Sequence, residues 1–341
     1  MLIYIGLLGC SAIVAAFGQQ LKRNHYAFGL FFFIWIILGF RGYSVGADTT
    51  NYVNIFLNMQ YTSLGNIFAQ GDLEYGYLLL CKLLHTIWAN PRFFLAVTSA
   101  VVALCYGWFF YRHARSLYIA FLGYLAFGLF SFHLTGIRQS LAMAICLLAV
   151  DRIPKKKLLI FVLIVLLAMC FHRSALIFLI AYPLGRMRVC RRNQMLICGF
   201  GLLGVVLIRP ILIAFGNLFE RYDQYGIEST GNGQIFFAVV LCITLAAEIY
   251  KPKILENNPH AGLLLHLNYV NLFLWGARLI TRVAERPSFF FMPFTILLMT
   301  EVVGAASVDR RSRVLIYMTV SGLLAALYLY RMSIIPYQFG L

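Results

Sequence analysis

The chain has 341 residues, of which 62% are hydrophobic and only 12% are charged, and its mean hydropathy is +0.82. A soluble globular protein carries about 25% charged residues, so this chain has too little polar surface to cover a fold in water. The composition therefore excludes a soluble class and predicts an integral membrane protein. In such a protein a net charge of +16 indicates basic cytoplasmic loops, and no nucleic-acid partner is expected.

Apolar runs follow one another along the whole chain. They cover about residues 2–18, 25–40, 93–111, 117–134, 136–151, 157–171, 173–185, 195–216, 235–250, 262–280, 288–306 and 314–331. Because a helix needs about 20 apolar residues to cross a bilayer, these runs predict an all-α polytopic membrane protein with about twelve transmembrane helices. Little sequence is left over, so residues 1–341 are expected to form a single integral membrane domain.

Basic clusters between the runs set the orientation. They fall on one side, which the positive-inside rule assigns to the cytoplasm, provided that the run at 77–90 does not cross the membrane. That run has only about 14 residues and is predicted to be a re-entrant or interfacial helix inside an external loop, residues 41–92. The acids expected outside are Asp48, Asp72, Glu74, Glu220, Asp223 and Glu228, the last three in a second loop at 217–234.

The runs at 157–171 and 173–185 have basic residues on both flanks, so the chain must enter the membrane and return. Each run reaches only about 20 Å, short of a hydrocarbon core of about 30 Å. The tip at 171–174 is therefore predicted to lie in a wetted, protein-lined recess, where interrupted helices are tolerated.

The eight cysteines show no C-x-x-C spacing and mostly fall inside apolar runs. We expect small core residues rather than metal ligands or disulfides, and no metal site is predicted.

Six arginines break the charge pattern, because they fall near the external ends of predicted spans. They are Arg41, Arg138, Arg173, Arg278, Arg282 and Arg286. Arginine at such depth is costly unless it is paired or wetted, and its planar fork suits bidentate binding of phosphate. The pattern favours a di- or pyrophosphate ligand at the outer leaflet. The alternative is snorkelling or local pairing, for example of Arg282 or Arg286 with Glu285.

Four local patterns accompany these arginines. In the segment 41–52, Asp48 is either a helix cap or a catalytic acid. The segment 74–77 offers an acid and aromatics for binding a sugar, or belongs to an interfacial aromatic belt. The segment 136–142 places Arg138 at a helix N-terminus, a favourable seat for an anion. His172, beside Arg173 at a helix break, is either a satisfied core residue or a functional one.

Together, these segments resemble the EpsG family of Wzy-like polysaccharide repeat-unit polymerases. The resemblance rests on the order of Arg41…Gly46-x-Asp48-Thr49-x-x-Tyr52, Glu74-x-Gly76-Tyr77-Leu78-Leu79, Ile137-Arg138-Gln139-x-Leu141-Ala142 and Phe171-His172-x-Ser174-Ala175-Leu176. The stretch from Arg278 to Arg286 and the tail Ile335-Pro336-Tyr337 also resemble the family, the former loosely. Tyr75 stands where the family usually has proline, a departure expected to alter only the turn.

The resemblance implies a GT-C-like helical fold and an inverting glycosyl transfer on the periplasmic face of the bacterial inner membrane. Both substrates would be oligosaccharides linked to undecaprenyl diphosphate, and the growing chain would pass from its carrier to the next repeat unit. The resemblance implies no cofactor, metal or nucleotide sugar, and a chain-length regulator is a candidate partner protein beside the lipid bilayer.

For the residues, the candidate catalytic bases are Asp48, His172 and Glu285, with Asp48 favoured. Arg138, Arg282 and Arg286 are expected to hold the donor diphosphate, and Arg41 to orient Asp48 or bind the acceptor carrier. His172 is alternatively a hydrogen-bond partner of a sugar or phosphate oxygen. The remaining candidates for substrate binding are Tyr52, Glu74, Tyr77, Gln139, Arg173 and Arg278.

Two other functions remain open on the sequence. A flippase or transporter of lipid-linked oligosaccharide would also use external arginines, but it would be expected to carry charge through the membrane depth. An O-antigen ligase-type glycosyltransferase would share both the fold and the arginines, and sequence separates it poorly from a polymerase.

Overall fold

The structure is a computed structural model that describes residues 1–18, 20–69, 73–208, 210 and 233–340. Regular structure in these residues is helical, apart from an isolated antiparallel bridge between Arg41 and Phe339. The prediction of an all-α protein is confirmed. The predicted external loop at 217–234 lies outside the described residues for all but its last two positions, as do Asp72, Glu220, Asp223 and Glu228.

The described chain divides into two compact units. Unit 1 comprises Met1–Arg152, Lys157–Leu176 and Met318–Leu341. Its helices are α1 (Leu2–Phe17), α2 (Arg23–Gly39), α3 (Thr49–Asn58), α4 (Tyr75–Ile87), α5 (Pro91–His113), α6 (Leu117–Ala126), α7 (Leu129–His133), α8 (Ile137–Ala149) and α9 (Leu158–Met169). Short 3-10 helices lie at Met59–Tyr61, Leu64–Ala69 and Val150–Arg152.

Unit 2 comprises Ile153–Lys156 and Ile177–Tyr317. Its helices are α10 (Ala181–Arg186), α11 (Arg191–Val206), α12 (Gly233–Ile249), α13 (Lys251–Asn257), α14 (Ala261–Arg278), α15 (Glu285–Ser288) and α16 (Met292–Ala306), with a 3-10 helix at Arg282–Ala284. The 3-10 helix Arg173–Ile180 and helix α17 (Arg310–Met332) each contribute residues to both units.

Two described helices, α5 and α17, are long and apolar enough to cross a membrane on their own. Two bent pairs raise the number of candidate spans to 4: α12 with α13, at 76°, and Arg282–Ser288 with α16, at 64°. The structure thus supports a membrane protein, while the number of about twelve spans stays a prediction.

The core of unit 1 is built on the contact between α2 and α5. Phe31 stacks on Phe110 with ring centroids 6.0 Å apart and meets Tyr124 edge-on at 5.5 Å. All three rings are buried. Close approach needs a small residue at Gly107, where an added Cβ would lie 3.1 Å from the Phe31 ring. Aromatic packing of this kind fixes α2 against α5.

The bounds of the helices agree in part with the predicted apolar runs. Helix α4 has 13 residues, and α9 ends at Met169, so the break expected at 171–174 is present. The run at 117–134 is not continuous, because Gly128 adopts φ +90° and separates α6 from α7. A left-handed residue cannot continue a right-handed helix, and only glycine adopts it without strain.

All eight cysteines are free, but only Cys81 and Cys146 are buried. The expectation that they are core residues is wrong for Cys170, Cys190 and Cys242, which are exposed, while Cys10, Cys105 and Cys198 are partly buried. In a chain this apolar, the outer surface also carries hydrophobic residues, so an apolar run does not predict burial inside the protein.

Candidate active site

The loop between α2 and α3 is shaped by Gly46. Its φ of +88° favours glycine, and an added Cβ would lie 1.9 Å from the carbonyl oxygen of Leu134. The neighbouring Thr49 hydroxyl lies 2.7 Å from the Val45 carbonyl and 3.1 Å from the Leu134 carbonyl. The loop is therefore pinned against the turn that precedes α8.

Asp48 stands at the end of this loop, at the N-cap position of α3, and is partly exposed. The predicted cap position is therefore confirmed, while its side chain makes no capping hydrogen bond. No ion pair joins it to a described residue. Its carboxylate is consequently available to accept a proton or a hydrogen bond from a substrate.

Arg41 is 1% exposed, although the sequence predicted an arginine that faces substrate or Asp48. Its guanidinium donates to the carbonyl of Leu38 and, at 3.4 Å, to the hydroxyl of Thr49. Burial lowers the pKa of Arg41 to about 10, partly offset by Tyr337, so the group stays charged at neutral pH. Arg41 thus contacts Thr49, the residue next to Asp48.

Beneath the loop lies a small cavity of about 10 Å³, lined by Arg41, His133 and the hydroxyl-bearing Thr98, Ser99 and Ser140. His133 is 3% exposed, and its Nδ1 lies 2.7 Å from the hydroxyl of Tyr124. Sequence analysis missed His133 because it lies inside an apolar run with no charged neighbour. It lines the same cavity as Arg41, at the start of the loop that leads to Asp48.

Glu74 and Arg138 form an ion pair between residues 64 positions apart. The glutamate side chain is 9% exposed and the arginine side chain 18% exposed. A second oxygen of Glu74 accepts the backbone N–H of Arg173 at 3.3 Å. One acid thus orients an arginine from α8 and fixes the chain just after the break that follows α9.

Two tyrosines line this pair. The Arg138 guanidinium lies 5.9 Å from the centre of the Tyr52 ring, and Tyr52 meets Tyr77 edge-on with centroids 5.8 Å apart. Tyr77 is fully buried, and burial raises its pKa well above the usual value. Tyr77 therefore supports Tyr52 from inside the protein, and Gln139, at 2% exposed, is likewise turned inward.

The segment around His172 docks on the start of α4. The Cys170 carbonyl accepts the backbone N–H groups of Gly76 and Tyr77 at 2.8 and 3.3 Å, and a Cβ at Gly76 would lie 2.7 Å from that oxygen. His172 Nδ1 lies 2.6 Å from the Ser174 hydroxyl and accepts the Ser174 backbone N–H at 3.3 Å. That nitrogen already serves as an acceptor within its own turn.

The cluster in unit 2 follows the end of α14. Arg278 Nε lies 2.7 Å from Glu285 Oε2, and these side chains are 5% and 31% exposed. The sequence offered Arg282 or Arg286 as the partner of Glu285, and the structure adds a pair with Arg278 that was not predicted. Arg282 is exposed and makes no ion pair with a described residue, while Arg286 is partly exposed.

The predicted site residues thus fall into two groups. Unit 1 contains Arg41, Asp48, Tyr52, Glu74, Tyr77, Arg138, Gln139, His172 and Arg173. Unit 2 contains Arg278, Arg282, Glu285 and Arg286. The contacts within unit 1 join residues from four separate sequence segments, whereas those within unit 2 are local.

These features define an all-helical membrane protein in which a largely buried acid, Glu74, orients Arg138. A family model, the EpsG family, matches residues 25–339. The chain therefore belongs to the EpsG family, a family of Wzy-like polysaccharide polymerases, and the resemblance stated above is confirmed. Membership assigns it a glycosyltransferase-like polymerase function in general. The chain matches no curated protein and no solved structure.

Proposed function

We propose that the protein polymerises oligosaccharide repeat units linked to undecaprenyl diphosphate, at the periplasmic face of the bacterial inner membrane. An acceptor hydroxyl oxygen bonds to the anomeric carbon of the donor sugar, and the bond from that carbon to the diphosphate breaks with inversion. The hydroxyl proton goes to a base, and the lipid diphosphate leaves with the electron pair. The observation that carries the proposal is the Glu74–Arg138 pair beneath Tyr52.

The pair supports the proposal because catalysis here consists of stabilising charge on a diphosphate. A guanidinium held in place by a buried carboxylate meets the developing charge without reorganising. Arg138 keeps 18% of its side chain exposed, so it has a face for a ligand. The exposed Arg173, whose backbone is bound to the same glutamate, supplies a second cation. We assign both to the donor diphosphate. Within unit 2, taken by itself, Arg282 and Arg286 are proposed to bind phosphate.

Asp48 is our choice as the general base. It combines partial exposure with a carboxylate that neither caps its helix nor pairs with a described cation. Glu285 is bound to Arg278, and His172 Nδ1 is occupied by Ser174. A base must have a free lone pair within reach of the proton that it removes, which favours Asp48 over both rivals.

The buried members of the predicted set receive supporting roles. We propose that Arg41 positions the loop of Asp48 through Thr49, and that Tyr77 and Gln139 hold the surface that Tyr52 presents to a sugar. Arg278 fixes Glu285.

We also propose that the chain forms a GT-C-like single domain with about twelve spans, in which α4 is a re-entrant or interfacial helix. The proposed reaction needs neither metal nor nucleotide sugar, and a chain-length regulator is the proposed partner protein.

The test uses the full chain purified in detergent with synthetic repeat units on undecaprenyl diphosphate. With a metal chelator present and no nucleotide sugar, we expect a ladder of products that Arg138→Ala and Asp48→Asn abolish. Asp309→Asn is the matched control, because Asp309 is a fully exposed acid whose hydrogen bonds, such as that from the Ser312 N–H, are local to the start of α17. A ladder that persists in Asp48→Asn would refute the assigned base. Transport into vesicles without a new glycosidic bond would support a flippase, and transfer to a different acceptor would support a ligase.

A further inference from the structure

A second cavity lies within unit 2, and none of the residues assigned above lines it. It forms where α10 ends and where α11 and α14 begin, and its volume is about 190 Å³. Its lining includes Ile153, Gly185, Arg188, Val189, His260 and Leu263. Since a cavity of only about 10–15 Å³ by this measure holds one water, there is room for a phosphodiester group.

The lining combines cationic and apolar side chains. Arg188 and His260 supply hydrogen-bond donors, and none of the described residues in the lining is acidic. Ile153, Val189 and Leu263 form apolar walls beside them. A soluble anion needs only the donors, whereas a phospholipid needs donors for its phosphate and an apolar surface next to them.

The walls are fixed by close packing. An added Cβ at Gly185 would lie 2.2 Å from Leu263 Cδ1, and one at Gly262 would lie 2.8 Å from Val189 Cγ2. The turn before His260 is anchored from the opposite side, because Asn258 donates to Glu301 at 2.9 Å and accepts the His260 N–H at 3.0 Å. Glu301 is 4% exposed and does not line the cavity. Its carboxylate therefore holds the turn through Asn258 and does not repel an anion bound in the cavity.

The cavity lies where the headgroups of the cytoplasmic leaflet are expected. It lies at helix ends whose flanks carry further basic residues, namely Lys155, Lys156, Arg186, Arg191 and Arg192. The positive-inside rule assigns these flanks to the cytoplasm, where the bilayer surface is negatively charged. Basic pockets between transmembrane helices on that side suit the headgroups of anionic lipids.

We propose that this cavity binds the phosphate headgroup of an anionic phospholipid from the cytoplasmic leaflet, with Arg188 and His260 on the phosphate. The acyl chains leave along the apolar wall that includes Val189 and Leu263. Binding stabilises unit 2, where three chain segments that are distant in sequence meet at the cavity. The site is independent of the polymerase proposal and needs no glycosyl transfer.

The experiment is native mass spectrometry of the purified full chain in mixed micelles of detergent with phosphatidylglycerol or phosphatidylcholine. We expect selective retention of phosphatidylglycerol and a higher Tm with it. Arg188→Gln should weaken retention about tenfold or more, because it removes a charge-assisted hydrogen bond to the phosphate, and the Arg188→Gln/His260→Gln pair should weaken it further. A basic side chain that only faces the lipid surface should contribute about fivefold at most. Arg188→Lys should restore part of the lost retention.

Arg192→Gln is the matched control. Arg192 carries the same charge as Arg188 and lies four positions further along the chain, but its side chain does not line the cavity. An equal loss in Arg192→Gln and Arg188→Gln would overturn the proposal in favour of diffuse surface charge. Equal retention of the two lipids by the unaltered protein would also overturn it. Complete displacement of the lipid by millimolar inorganic phosphate would identify a soluble-anion site and refute the lipid.

Discussion

In the part of the chain that the structure describes, two arginine–glutamate pairs are built in opposite ways. In unit 1 the acid is the more buried partner, with Glu74 9% exposed and Arg138 18% exposed. In unit 2 the arginine is the more buried partner, with Arg278 5% exposed and Glu285 31% exposed. The first pair joins distant segments, whereas the second closes a turn between residues seven positions apart.

This difference separates two uses of the same pair of residues. When the acid is the more buried partner, it fixes the orientation of a guanidinium whose remaining exposed part can meet a ligand, as an anion-binding site requires. When the arginine is buried, the pair holds the local chain, and the outward cation is the neighbouring Arg282. The unit 1 cluster also includes Asp48, whose carboxylate is free of a described cation, while the acid of unit 2 is bound. We therefore expect larger catalytic effects from substitutions in unit 1.

The sharpest contrast is between the two acids offered as bases. Asp48→Asn should lower the turnover rate by about 10²- to 10⁴-fold, because an amide cannot accept the proton, while Glu285→Gln should lower it far less. Product ladders quantified over time, alongside unchanged elution in size-exclusion chromatography, measure this. Equal losses in both variants would erase the distinction between the clusters.

The two pairs should also differ in stability. Removing the charge of Glu74 leaves Arg138 largely buried without its partner, and breaking a buried pair costs about 3–5 kcal/mol. In the other pair, Glu285 is about one-third exposed, and solvent weakens the ion pair. We therefore expect Glu285→Gln to decrease Tm less than removal of the Glu74 charge does. Thermal unfolding in one detergent compares the variants. A larger decrease for Glu285→Gln would reverse the ranking of the two pairs.

The loop of Asp48 provides a backbone test. Gly46→Ala should cost roughly 1–3 kcal/mol, because φ is +88° and the new Cβ would meet the Leu134 carbonyl. Activity should fall with stability, since the loop that carries Asp48 must move. Gly65→Ala is the control, because an added Cβ there has open space around it. Similar Tm values for the two variants would show that the loop is not pinned.

The smallest effect is expected at Arg282. Its exposed guanidinium has no described ion-pair partner, so Arg282→Lys should leave Tm unchanged and raise KM a few-fold through the loss of bidentate phosphate binding. Initial rates across a range of donor concentrations test this. A fall in kcat at unchanged KM would assign Arg282 to the transition state instead of to donor binding.

Several features followed from the sequence because they depend on local composition and order. The apolar runs predicted helices, the helix break at 171–174 followed from run length, and the four ordered motifs indicated the family. Burial was harder to predict. Arg41, Tyr77 and Gln139 were all candidates for substrate contact, yet each is buried, because nothing in a motif tells which side of a helix or loop faces the core.

By itself, the sequence determined the helical membrane class and the set of charged residues that break its apolar pattern, since both follow from composition and spacing along the chain. Only the tertiary structure decided that Glu74 orients Arg138, that Arg278 binds Glu285 through Nε, and that His133 and Arg41 line one cavity. Those pairings depend on which helix ends pack together. That packing is set by contacts between aromatic and small residues far apart in the chain, such as Phe31 with Gly107.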